Sequence, residues 1–78
     1  MKHFQKLKEI ITEILTDKLR MDYTIESDME ANGIKEKIYA CKSLDDIVEF
    51  FEESGYHAFD AYESIIFTLL DYLYGNKI

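Results

Sequence analysis

Tyr23-Thr24-Ile25-Glu26-Ser27-Asp28-Met29-Glu30-Ala31-Asn32-Gly33-Ile34-Lys35-Glu36-Lys37-Ile38-Tyr39-Ala40-Cys41 is the stretch on which the fold turns. Tyr23, Ile25, Met29 and Ala31 alternate with Thr24, Glu26, Asp28 and Glu30, the period of a half-buried strand. Asn32-Gly33 supplies the two residues that most readily take positive φ in a type I′ turn, so Ile34 to Cys41 reads as the returning strand. A two-residue turn would set Glu30 opposite Lys35 and Asp28 opposite Lys37, placing unlike charges across the polar face. The same residues admit a helix, because Ser27-Asp28-Met29-Glu30 fits a capping box and Asn32-Gly33 a helix stop. The hairpin is the favoured reading. The expected fold is therefore α+β, with an N-terminal helix, a β-hairpin and two C-terminal helices; an all-α helical bundle is the alternative.

Outward from this stretch the signals are helical. Phe4, Leu7, Ile10, Ile11, Ile14, Leu15 and Leu19 recur at steps of three and four, the stripe of an amphipathic helix over about residues 3 to 19. On the other side, Ser43 can cap a helix over about residues 44 to 54, with Asp45 and Asp46 at the positive end of its dipole and Gly55 at its C′ position. Leu44, Ile47, Val48 and Phe51 form its apolar stripe, with Phe50 to one side. After Gly55-Tyr56-His57-Ala58, Asp60 and Glu63 suit the start of a last helix that runs to about Tyr74 and stops at Gly75-Asn76. Its apolar arc, with Ile65, Ile66, Leu69, Leu70 and Leu73, covers roughly half the circumference. That width predicts a central helix, or one that dimerises through Leu69, Leu70 and Leu73.

Seventy-eight residues make one domain, residues 1–78, with a small core and little room for a deep cleft. Sixteen Asp and Glu against nine Lys and Arg give a formal charge of −7, which disfavours direct nucleic-acid binding and anionic membranes. The acidity is uneven. Residues 43 to 78 hold eight acids and only Lys77, whereas residues 1 to 21 hold five basic residues and three acids. A recognition helix in the C-terminal half would meet DNA with repulsive charge alone. A single cysteine, Cys41, forms no internal disulfide, and no run of roughly 20 apolar residues suggests a membrane span. The expectation is a cytoplasmic protein.

Catalytic and metal motifs are missing from the sequence. His3, His57 and Cys41 stand without the partners a nucleophile needs, and there is no His-Glu-x-x-His, paired cysteine or calcium loop. The chain is read as a non-enzyme without a cofactor or metal. What remains is the helix over 44 to 54, where Asp45, Asp46, Glu49, Glu52 and Glu53 share an arc of about 120°. Like charges three or four residues apart each cost a helix about 0.2 to 0.5 kcal/mol, so the face suggests a use outside folding, against the alternative of a charged face that is simply solvated. The next helix adds Glu63 and Asp71, with Phe67 and Tyr74 between them on the wheel. Carboxylates beside aromatic rings suit an Arg- or Lys-rich protein partner.

A short acidic domain ordered as helix, hairpin and two acidic helices resembles the small phage-encoded anti-CRISPR and anti-restriction inhibitors. The resemblance is one of layout and charge over the whole chain, without a shared motif, and it assigns no residue a role. It implies a nucleic-acid mimic whose carboxylates occupy the basic groove of a host defence nuclease in the host cytoplasm. From the charge and wheel positions alone, the expected partner-binding residues are Asp45, Asp46, Glu49, Glu52, Glu53, Glu63, Phe67, Asp71 and Tyr74, on a non-enzymatic inhibitor or regulator that binds a basic protein surface. The alternative is a small interaction module, an antitoxin or assembly subunit, that dimerises or docks through the apolar face of the last helix.

Overall fold

A computed structural model describes residues 2–75 as four α-helices and one short 3-10 turn. They are α1 (Lys2–Met21), α2 (Asp28–Tyr39), α3 (Leu44–Ser54), the turn Tyr56–Ala58, and α4 (Ala61–Leu73). No strand occurs among the described residues, so the expected β-hairpin over 23 to 41 is replaced by α2 and its flanking turns. The fold is the all-α alternative.

Two local facts decide against the hairpin. Strict alternation would require an apolar residue at Ser27 and again at Glu36, and neither is one. A helix instead aligns Ala31, Ile34 and Ile38, all buried, and leaves Met29 83% exposed. The Ser27 cap then forms, its hydroxyl accepting from the Glu30 amide at 3.2 Å, while the Glu30 carboxylate reaches one residue past the cap and accepts from the Glu26 amide at 3.1 Å. The expected Asp28–Lys37 cross-strand pair gives way to Arg20–Asp28, whose guanidinium donates at 2.9 Å and ties the end of α1 to the start of α2. Asn32-Gly33 is no stop, because both lie inside α2.

The helix at the centre is α1, not the last one. Leu7, Ile11, Leu15 and Leu19 are fully buried, and α1 packs on both α2 and α4. The wide arc of α4 is only partly covered: Ala61, Ile65 and Leu69 face the core, while Leu70 and Leu73 are exposed. α3 contributes Ile47 and Phe51, with the Phe51 ring 5.3 Å from that of Tyr62.

The helix ends follow from their residues. α1 closes with Tyr23 in the left-handed region at φ 59°, where the Tyr23 and Thr24 amides donate to Arg20 and Leu19 carbonyls at 3.1 and 2.9 Å. This is the paired-bond C-terminal motif that usually carries glycine. α3 starts at Ser43, whose hydroxyl accepts from the Asp46 amide at 3.2 Å, and ends at Gly55 with φ 80°. α4 ends at Leu73, with Gly75 at φ 74°; Asn76, the other half of the expected stop, lies outside the described residues. One contact spans the fold. Lys8, only 7% exposed, donates from Nζ to the carbonyls of Tyr39 at 2.8 Å and Cys41 at 3.0 Å, clamping the C-terminal end of α2 onto α1. Its ammonium also lies 5.0 Å from the Phe4 ring centre.

Candidate functional site

The amphipathic pattern that buries Ile47 and Phe51 turns Asp45, Asp46, Glu49, Glu52 and Glu53 outward, and all five are exposed. They do not have equal roles. Asp46 completes the N-terminal cap of α3, its Oδ2 accepting from the Lys42 amide at 2.9 Å. Glu49 sits at the centre of the group. A hydrogen bond to Glu53 and the charge of that neighbour raise its carboxyl pKa above the usual glutamate value, with Asp46 and Glu52 adding to the effect. Among the described residues the ion pairs are Lys18–Asp22 and Arg20–Asp28, neither of which involves α3 or α4. The anionic face is therefore not neutralised by salt bridges within the described fold.

On α4, Glu63 is exposed and Asp71 half-buried, while Phe67 and Tyr74 are 60% and 78% exposed. Leu70 and Leu73, 40% and 60% exposed, continue the aromatic pair into an apolar strip along that helix. Leu69, expected at a dimer contact, is 7% exposed and belongs to the core.

The pairing of α2 with α3 creates a feature that sequence reasoning missed. Beside the acidic face lies an open groove of about 480 Å³ whose walls are Lys37 from α2, Ala40 just past its end, and Asp46, Glu49, Phe50, Glu53 and Ser54 from α3. A second depression, of about 410 Å³, shares Lys37, Phe50 and Ser54 with the first and continues past Gly33 and Ile34 to Glu30 and Tyr56. Phe50, placed to one side of the α3 stripe by its sequence position, forms part of the wall and stacks edge-on with Phe51 and Tyr56 at 5.4 and 5.9 Å. That off-stripe aromatic next to an acidic arc was the available signal.

The groups considered for chemistry have structural surroundings. The Cys41 thiol is buried and donates to the Lys37 carbonyl at 3.4 Å; burial pushes its pKa up, Asp46 adds to this and Lys8 opposes it, so the thiolate is disfavoured. His57 Nδ1 is 3.1 Å from the Phe51 carbonyl at the end of α3. Among the described residues no group of three or more His, Cys, Asp or Glu side chains is placed to hold a metal ion. No helix there is long and apolar enough to cross a membrane.

No protein-family model matches the chain, and no curated protein or solved structure is significantly similar to it.

Proposed function

We propose that the chain is a non-enzymatic inhibitor or regulator that binds a basic protein surface through the acidic face of α3. DNA mimicry against the nucleic-acid groove of a host defence nuclease is the narrower form of this reading. The observation that carries it is the group of exposed carboxylates Asp45, Asp46, Glu49, Glu52 and Glu53 on one face of α3, which no salt bridge among the described residues neutralises. Helices gain from mixed Glu and Lys at such positions and lose from like charges, so the face opposes folding while offering a dense anionic surface. A basic groove captures such a surface quickly, because long-range attraction steers the encounter.

The test uses Glu49→Gln/Glu52→Gln/Glu53→Gln, which spares the capping Asp46. Wild-type and variant proteins would be used to capture partners from cells of the source organism. A basic, DNA-binding protein retained by the wild type and lost by the variant is the expected result, with DNA displaced from that protein less effectively as salt rises. Equal capture by the variant, with its melting midpoint unchanged or higher, would overturn the reading.

The exposed strip Phe67, Leu70, Leu73 and Tyr74 favours a second reading, an interaction module that dimerises or docks through α4. Sedimentation of the wild type and of Phe67→Ser/Leu73→Ser separates the two. A dimer dissolved by the double change supports the module.

A further inference from the structure

We propose that the groove between α2 and α3 docks a segment of a partner protein that carries arginine or lysine side chains around an apolar one. This rests on the reading of α3 as a surface for basic proteins and specifies where and how the partner sits.

Charge complementarity is the first argument. Asp46, Glu49 and Glu53 line one end of the groove and Glu30 the other, against the single cation Lys37. Between them the two halves share Phe50, Ser54 and Lys37, so the apolar contact offered there is chiefly the Phe50 ring, with the edge of the mostly buried Ile34 in the second half. An occupant with cations at its flanks and an apolar side chain between them satisfies both chemistries, whereas nucleic acid would meet carboxylates at both ends.

Gly33 is the second and independent argument. It lies inside α2 and lines the groove, and its backbone is outside the left-handed region that would require glycine. A Cβ built there meets nothing within 4 Å. Neither backbone conformation nor packing within the chain therefore calls for glycine, although glycine weakens a helix interior relative to alanine. The open space over Gly33 lets a partner's backbone or apolar side chain come within contact of α2 itself.

The experiment uses the intact chain and, as probe, a short labelled peptide of arginine, leucine and alanine, beside a peptide of the same length in which serine replaces leucine. Binding is read by fluorescence anisotropy and the site by amide chemical-shift changes. The expected result is tighter binding of the leucine peptide by tenfold or more, with shifts concentrated at Gly33, Lys37, Phe50 and Ser54. Gly33→Leu fills the groove with a better helix former, so the variant stays folded by circular dichroism while affinity for the leucine peptide falls tenfold or more. If Gly33→Leu binds both peptides as the wild type does while Glu49→Gln/Glu53→Gln abolishes binding, the groove is refuted and the acidic surface stands. If Glu49→Gln/Glu53→Gln binds both peptides unchanged, the acidic surface fails and the charge-based docking fails with it. Shifts confined to α4, or no binding of the leucine peptide, also overturn the groove.

Discussion

Gly33→Ala should stabilise the protein, and the sign of that effect separates the two folds open to this sequence. Gly33 is an interior residue of α2, half-buried, and an added Cβ would have no atom within 4 Å to displace. Alanine exceeds glycine in a helix interior by about 0.8 to 1.0 kcal/mol, largely because the unfolded chain loses less freedom on folding. No clash subtracts from this figure at Gly33. For a domain of this size, 1 kcal/mol corresponds to a rise of about 4 to 8 °C in the melting midpoint. Thermal and urea unfolding followed by helical circular dichroism would measure it, with an unchanged urea slope showing that stability and not compactness has moved. Had Asn32-Gly33 formed a type I′ turn, alanine at Gly33 would be forced to positive φ at a cost of about 1 to 2 kcal/mol. A lowered midpoint for Gly33→Ala would refute the helical assignment of residues 28–39 and restore the hairpin.

Three further outcomes follow from named contacts. Tyr23→Gly should raise stability by about 1 kcal/mol in urea titration, because Tyr23 is 82% exposed and held at φ 59°, where a side chain is strained and glycine is not. Lys8→Met should lower stability by about 2 to 3 kcal/mol, since it removes two charge-assisted hydrogen bonds and leaves the Tyr39 and Cys41 carbonyls without their donor. Lys6→Met, at an exposed position, should change it by less than about 0.5 kcal/mol, and equal effects would refute the clamp. The raised Glu49 pKa means that, between the ordinary glutamate value and that raised value, the folded chain holds more of this proton than the unfolded chain does. The stabilisation from Glu49 is thus present at low pH and lost as pH rises through that window; melting midpoints against pH should show it as a negative slope that Glu49→Gln reduces, and an identical slope in the variant would refute it.

Three helices were legible in the sequence because each carries an apolar pattern of helical period, although α1 closes on Tyr23 without a glycine and Asp60, expected at the start of α4, makes no side-chain cap hydrogen bond. α3 has a capping serine, two aspartates in its first turn, a single apolar stripe and a glycine at its end, and its observed span Leu44–Ser54 is the one those signals indicate. α2 carries conflicting codes. Its Ser27–Glu30 box and its Ala31, Ile34 and Ile38 spacing favour helix, while Asn32-Gly33 and the short alternation before it favour a turn between strands. Local signals were balanced there, and burial of Ala31, Ile34 and Ile38 together with the Lys8 clamp resolves them in favour of helix. Lys8 itself was illegible, because a lysine adjacent to an apolar stripe reads as solvated until the helix end that receives its ammonium is in place. The acidic face was visible because one helix determines it. The groove was not, since it exists only once α2 stands beside α3, and the hairpin reading removed α2.

Two properties of that groove oppose the stability of the fold, and they have unrelated causes. Repulsion around Glu49 weakens α3, and glycine at position 33 weakens α2. A formal charge of −7 keeps molecules apart in solution wherever the acids are placed, so solubility does not require five of them crowded on one face of α3. Solvation does not account for Gly33, where alanine would add one methyl to a chain that already exposes Met29, Phe67, Leu73 and Tyr74. A close-approaching partner accounts for both, the acids by pairing and the glycine by leaving room. In a small domain whose net stability is a few kcal/mol, two such costs bordering one groove are what the proposed docking of a partner there would offset. The two substitutions therefore have opposite expected consequences for folding and recognition: removing the Glu49 repulsion or filling the space over Gly33 should leave the melting midpoint equal or higher while weakening the bound state.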